Sequence, residues 1–215
     1  MKKKNRKPVE WYLLDFDFKF RDGTWCHCVE VVVGDKSYKV VTKAGVIWFN
    51  IKQRTKLGAA YQKRKPTYAG VKNCFKDFQD FCDFCQTAPG YHMKDKYGRN
   101  YALDKDILDR SGRKEYSRDT CCFVPLDVNN MLLTKGGKKV SDCPSGIVMT
   151  PYKKYEVRDG RRNKRITCDT LEEAIAVKNK LKAERILSKV GDGYLDYDQR
   201  IVSRLIEIAE DLIRG

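Results

Sequence analysis

A chain of 215 residues with net charge +15, 34% charged and 41% hydrophobic residues can form one medium domain or two to three small ones, and is too polar for one deep core. Its field attracts polyanions, with phosphate the dominant contact. No stretch is apolar for long enough to span a bilayer and no secretory leader is present, so a soluble, intracellular protein without a membrane partner is expected; the nine unevenly scattered cysteines do not make a disulfide framework.

The start, "MKKKNRKPVEWY", reads as a basic arm able to lie along phosphates. "LLDFDFKF", "WCHCVEVVV" and "KSYKVVTK" are β-branched or aromatic, with turn chemistry in "RDGT" and "GDKS", which predicts a small antiparallel sheet within a first domain, 1–45. From Val46 the apolar spacing becomes three and four, predicting two helices around "KRKPTYAG", where Pro66 and Gly70 mark the connection. Phe75, Phe78, Phe81, Phe84 and Cys85 form a stripe that faces a core. The basic residues of "KQRTK" and "QKRKPTY", with Tyr68 beside them, offer one phosphate-contacting surface. "CHC" at 26–28 is too tight for a zinc knuckle, and "CDFC" at 82–85 recurs at helical intervals, so structural zinc is not expected.

Next, "YALDKDIL" reads as a strand, "DRSGRKE" as a turn and "CCFV" as a return strand. Pro125 suits a first helical position, so "PLDVNNMLL" is predicted helical and closes a central domain, 46–140. "KGGKKVSDCPSG" is linker-like. In a third domain, 150–215, "KYEVRDGRRNKRITC" predicts a strand pair turning at "DGRR". Thr170 and Glu173 have capping-box spacing before a helix, and apolar residues at 201, 205, 208, 209 and 212 give a last helix one greasy face, able to pack within the chain or on a partner. The fold class is α+β: an N-terminal small β domain, a central strand-turn-strand-helix unit with flanking helices, and a C-terminal β-hairpin plus helices.

Residues two apart on a strand share a face, so Asp104 and Asp106 are expected on one side, with Asn129 near the start of the next helix. Such hard oxygens suit one Mg²⁺ or Mn²⁺ ion, which could bind a scissile phosphate. The plainer reading pairs Asp104 and Asp106 with Arg110 or Arg113, lets Asn129 or Asn130 cap or solvate a helix, and leaves His92 on the surface.

The pieces "PTYAGV", "FKDFQDF", "YALDKDIL", "YSRDTCCFVP" and "VNN", in that order from about residue 46 to 133, resemble the HNH, or His-Me finger, nucleases, most of all the phage-encoded homing type. The resemblance implies a ββα-metal core and a hydrolase cutting phosphodiester bonds of double-stranded DNA, at work in the cytoplasm of an infected bacterial host. It makes Asp104 and Asn129 the metal ligands and places Thr120 where an Asn steadies the hairpin. Lys105 stands where the family has its general-base His. A lysine is protonated at neutral pH, and basic action there needs roughly 4 kcal/mol of environmental bias. Three outcomes stay open. Asp106 or a metal-bound hydroxide takes the base's work while Lys105 holds phosphate, His92 swings in, or cleavage is lost.

Residues 152–190, through "KYEVRDGRRNKRI" and "TLEEAIAVKNKLK", are weakly similar to the three-stranded-sheet-plus-helix DNA-binding domain of plant ethylene-response factors, although only two strands are readable. That resemblance implies that Arg158, Arg161, Arg162, Lys164 and Arg165 meet phosphates or guanine edges. A non-catalytic, sequence-specific DNA-binding protein derived from such a nuclease is the alternative, and an RNA-binding or ribosome-associated protein a third reading. Monomer and homodimer are equally open.

Overall fold

The computed structural model describes residues 10–58, 60–132, 143–159 and 164–215. They form a mixed α+β structure with six α-helices and several small sheets among the described residues. Contacts divide the chain into two compact units, residues up to Phe123 and residues from Val124 onward. The sequence, by contrast, suggests cuts where its composition changes, near 45 and between 140 and 150.

In the first unit, β1 (Glu10–Leu13), β2 (Cys28–Val33) and β3 (Lys36–Val41) form one sheet in the order β1-β3-β2. β2 runs antiparallel to β3, but β1 runs parallel to it, so the expected antiparallel sheet is a mixed one. "LLDFDFKF" is also not a strand beyond Leu13. The reason lies in Asp17, whose carboxylate is drawn away from the sheet. Its Oδ1 accepts the Ala44 N–H at 2.7 Å, and its Oδ2 accepts from Gln86 (3.2 Å) and the Tyr91 hydroxyl.

Helix α1 (Lys43–Thr55) starts at Thr42, whose hydroxyl accepts the Gly45 N–H and donates to the Cys26 carbonyl at 2.8 Å. A Cβ at Gly45 would lie 2.3 Å from the His27 carbonyl oxygen, so only glycine permits this approach. A short helix, α2 (Ala60–Arg64), and a 3-10 turn (Pro66–Tyr68) follow. Helix α3 (Phe78–Thr87) is capped by Asp77 and buries Phe81, Cys82, Phe84 and Cys85. Phe75 joins them, while Phe78 is half-buried, edge-on to His27. Ring contacts run from Trp48 through Phe81 (5.4 Å), Phe75 (5.1 Å) and Phe84 (5.2 Å) to Phe123 (6.1 Å). Burying such rings, at roughly 1.5–3 kcal/mol each, is the main force holding this unit.

Two strand pairs close the unit. β4 (Lys72–Asn73) is parallel to β6 (Glu115–Tyr116), and β5 (Ala102–Asp104) pairs with β7 (Cys122–Val124).

The second unit holds α4 (Leu126–Leu132), β8 (Ile147–Met149), β9 (Tyr155–Asp159), β10 (Lys164–Cys168), α5 (Leu171–Gly191) and α6 (Gln199–Arg214). The three strands are antiparallel in the order β10-β9-β8, one more than the sequence showed. Ile147, Val157, Cys168 and, from α5, Ala174 are buried together, with Leu171, Ile175 and Leu181 packed on them. Helix α5 therefore covers one face of the sheet. Thr170 caps it as its spacing predicts, while the Glu173 carboxylate reaches the Asp169 N–H. Helix α6 packs on α5 and buries Ile201, Leu205 and Ala209, so its greasy face is used within the chain. Asp127 of α4 is paired with Lys189 of α5 at 3.0 Å.

Candidate functional site

Strand β5 stops at Asp104, and the chain then bends. The cause is the Asp104 side chain, whose Oδ1 accepts the N–H groups of Asp106 (2.7 Å) and Ile107 (2.8 Å) and closes a turn around itself. Asp104 is 9% exposed and Asp106 is exposed, so the two carboxylates do not share a strand face as the alternation rule predicts. Burial pushes the Asp104 pKa up, and the two N–H donors counter this only in part. A carboxylate so placed favours a proton or a cation beside it.

The neighbouring cation is engaged. The Lys105 ammonium is buried and paired with the Asp106 carboxylate. It also lies 6.0 Å from the centre of the Tyr116 ring. The Tyr116 hydroxyl accepts a hydrogen bond from Arg54 at 3.0 Å, and burial raises its pKa. Arg113, a candidate partner for the aspartates, is paired with Glu115 at 3.4 Å.

Thr120 is fully buried. Its hydroxyl donates to the Glu115 carbonyl at 2.8 Å and accepts the Ser117 N–H at 3.2 Å, tying the end of β6 to the segment that enters β7. Arg118 adds a clamp from that segment to α3 through Asp80 at 2.5 Å, which holds the Asp80 carboxyl below its usual range. The β6–β7 connection is thus fixed by side chains. His92 is exposed, against the Tyr91 ring.

Asn129 lies on α4, in the second unit, with a half-buried side chain, and Asn130 is exposed. Asp104, Lys105, Asp106 and Thr120 lie in the first unit. The Asp104 carboxylate is a hard oxygen donor of the type that suits Mg²⁺, and its burial favours a cation beside it; Asn129, the other expected ligand, lies in the other unit.

Among the described residues no three His, Cys, Asp or Glu side chains converge to hold a metal. Cys26, Cys82 and Cys85 are buried thiols whose pKa values burial raises, and Cys121 is pushed up to about 12 by burial. No described helix is long and apolar enough to cross a membrane.

On the second unit, strand alternation puts Ile147, Val157 and Ile166 toward α5, and Val148, Glu156, Thr167, Arg158 and Arg165 on the other face. Arg158 and Arg165 stand opposite each other across β9 and β10. Both flank Glu156, Arg158 at 2.9 Å and Arg165 at 3.7 Å, and both stay exposed. Arg161, Arg162 and the Lys164 side chain lie outside the described residues. The reading of two strands missed β8, whose three residues are too few to show a period. Comparisons with protein-family models, curated proteins and solved structures find no match to this chain.

Proposed function

We propose that the chain is a metal-dependent endonuclease of double-stranded DNA, of the homing HNH type that its central motifs resemble. The observation that carries its duplex-binding half is the sheet of the second unit: one face is packed by α5, and the other presents Arg158 and Arg165 side by side. A narrow antiparallel sheet enters a major groove, and paired guanidinium groups meet guanine edges or phosphates. The Glu156 carboxylate between them fixes their direction and leaves the group a net positive charge.

For cleavage, the support is the Asp104 turn. Two backbone N–H groups lock the carboxylate in place, and its burial favours a divalent cation. One Mg²⁺ or Mn²⁺ ion would polarise the phosphate and activate water. The chain's own groups would orient the substrate: Lys105, steadied by Asp106 and Tyr116, can neutralise a phosphate oxygen, while Thr120 keeps the β6–β7 connection rigid.

A second reading, a DNA-binding protein that does not cut, is favoured by the engagement of Lys105 with Asp106, which ties up the residue standing where the general base is expected. Plasmid nicking by purified protein with Mg²⁺, Mn²⁺ or a chelator separates the two. Metal-dependent nicks are expected. Gel shifts without nicks in either metal would leave only the second reading.

A further inference from the structure

Residues 43–76 contain nine Lys or Arg and no Asp or Glu. Within this acid-free stretch, Arg54 is a half-buried cation set among several tyrosine rings. It sits in the last turn of α1, donates to the Tyr116 hydroxyl at 3.0 Å, and lies 5.2 Å from the centre of the Tyr68 ring. Tyr61 is among the groups acting electrostatically on Arg54 and stands edge-on to Tyr68 at 5.5 Å. Gln62 pins this arrangement by bonding the carbonyls of both Arg54 and Tyr68. No carboxylate of the described residues forms an ion pair with Arg54.

A half-buried guanidinium usually stands beside an anion, because desolvating a charge without a counter-charge is costly. Here the fold surrounds it with three phenols, and the carboxylate of Asp106 is spent on Lys105. Arg54, Tyr61 and Tyr68 all keep some exposure, and the side chains of Lys56, Lys63, Arg64 and Lys65 around them are exposed. A planar guanidinium with hydroxyl groups at its edge matches a tetrahedral oxyanion, and a basic rim suits a polymer of them more than a single small anion.

We propose that Arg54, walled by Tyr61, Tyr68 and Tyr116, seats one backbone phosphate of the bound nucleic acid. Tyr116 links this seat to Lys105, whose ammonium faces the same ring, so the seated phosphate holds the strand in register with the Asp104 turn. The choice of duplex DNA as the polymer rests on the proposed function above; the oxyanion seat itself does not.

The test is duplex binding, measured by fluorescence anisotropy across a salt series, for wild type, Arg54→Gln, Arg54→Lys and Tyr61→Phe. Removing one phosphate contact lowers the slope of log affinity against log salt by about 0.9. Arg54→Gln is expected to show that loss. Arg54→Lys should bind several-fold more weakly at an unchanged slope, since it keeps the charge and loses the fork. Wild-type slope and affinity in Arg54→Gln would overturn the proposal. Should Arg54→Gln melt early, the two milder variants decide: both must bind more weakly than wild type, and equal affinity overturns the seat. If wild type binds no duplex, the DNA reading fails, and inorganic phosphate against chloride of equal ionic strength becomes the deciding arm. A rise in melting midpoint in wild type but not in Arg54→Lys supports the seat, and no difference overturns it. Absence of nicking with the slope change intact removes the nuclease reading and leaves this one standing.

Discussion

The Asp104 turn and the outer face of the β8-β9-β10 sheet use charge in opposite ways. On the sheet, Arg158 and Arg165 are exposed and share one carboxylate, so their charge costs the fold little and is screened by salt. In the turn, Asp104 and Lys105 are buried, and each is held by named partners. Charges of the first kind add affinity to almost any polyanion. Those of the second kind cost stability, and such costs concentrate where chemistry needs a group at a fixed place and protonation state. The contrast separates what would hold DNA from what would act on it.

The contrast breaks most visibly at Asp104. Asp104→Asn keeps an oxygen to accept the Asp106 and Ile107 N–H groups and removes the buried charge. It should abolish metal-dependent nicking while leaving the melting midpoint equal or higher in metal-free buffer. Asp104→Ala, in contrast, orphans two backbone donors and should cost about 1–3 kcal/mol per donor in denaturant titrations.

Next in size is the effect of pH on the same pair. The fold raises the Asp104 pKa above its unfolded value of 3.8. Stability from this group is therefore fully present below that value and lost as pH rises through the folded pKa. In metal-free buffer the advantage of Asp104→Asn over wild type should widen across that climb, and a constant difference would show that burial does not penalise the charge.

The sheet arginines should behave differently. Arg158→Ala and Arg165→Ala should each lower the salt slope of duplex binding by about 0.9 if they touch phosphate, and shift stability by no more than about 0.5 kcal/mol. If the loss depends on base sequence and not on salt, they read guanine edges instead. The smallest effect concerns the loop between β5 and β6. Lys114 adopts φ of +52°, a left-handed conformation that costs a side-chain-bearing residue free energy. Lys114→Gly should gain a few tenths to about 1 kcal/mol in urea unfolding with DNA affinity nearly unchanged.

What was legible in the sequence was local. The α3 stripe, the Thr170 cap and the one-sided α6 follow from periodicity and capping chemistry, which neighbours in sequence determine. The parallel pairing of β1 with β3 is non-local and leaves no mark on either strand. β8 hides in three residues after a run of glycine and lysine. The Asp104 turn was misread because an aspartate two before another fits strand alternation and an aspartate-closed turn equally well; Pro-free, lysine-bearing "LDKDIL" favours neither. The basic stretches at 52–56 and 62–68, with Tyr68, were marked in the sequence, but no window joins Arg54 to Tyr116. Asp17 was likewise invisible, since its work lies on α1 and Tyr91.

Melting and plasmid nicking measured side by side on wild type and Asp104→Asn test the central claim most directly. The prediction is that wild type nicks in Mg²⁺ or Mn²⁺, and that the variant, folded at least as stably and still shifting duplex DNA, does not. A variant that nicks like wild type, or a wild type that binds DNA and never nicks in either metal, would contradict it.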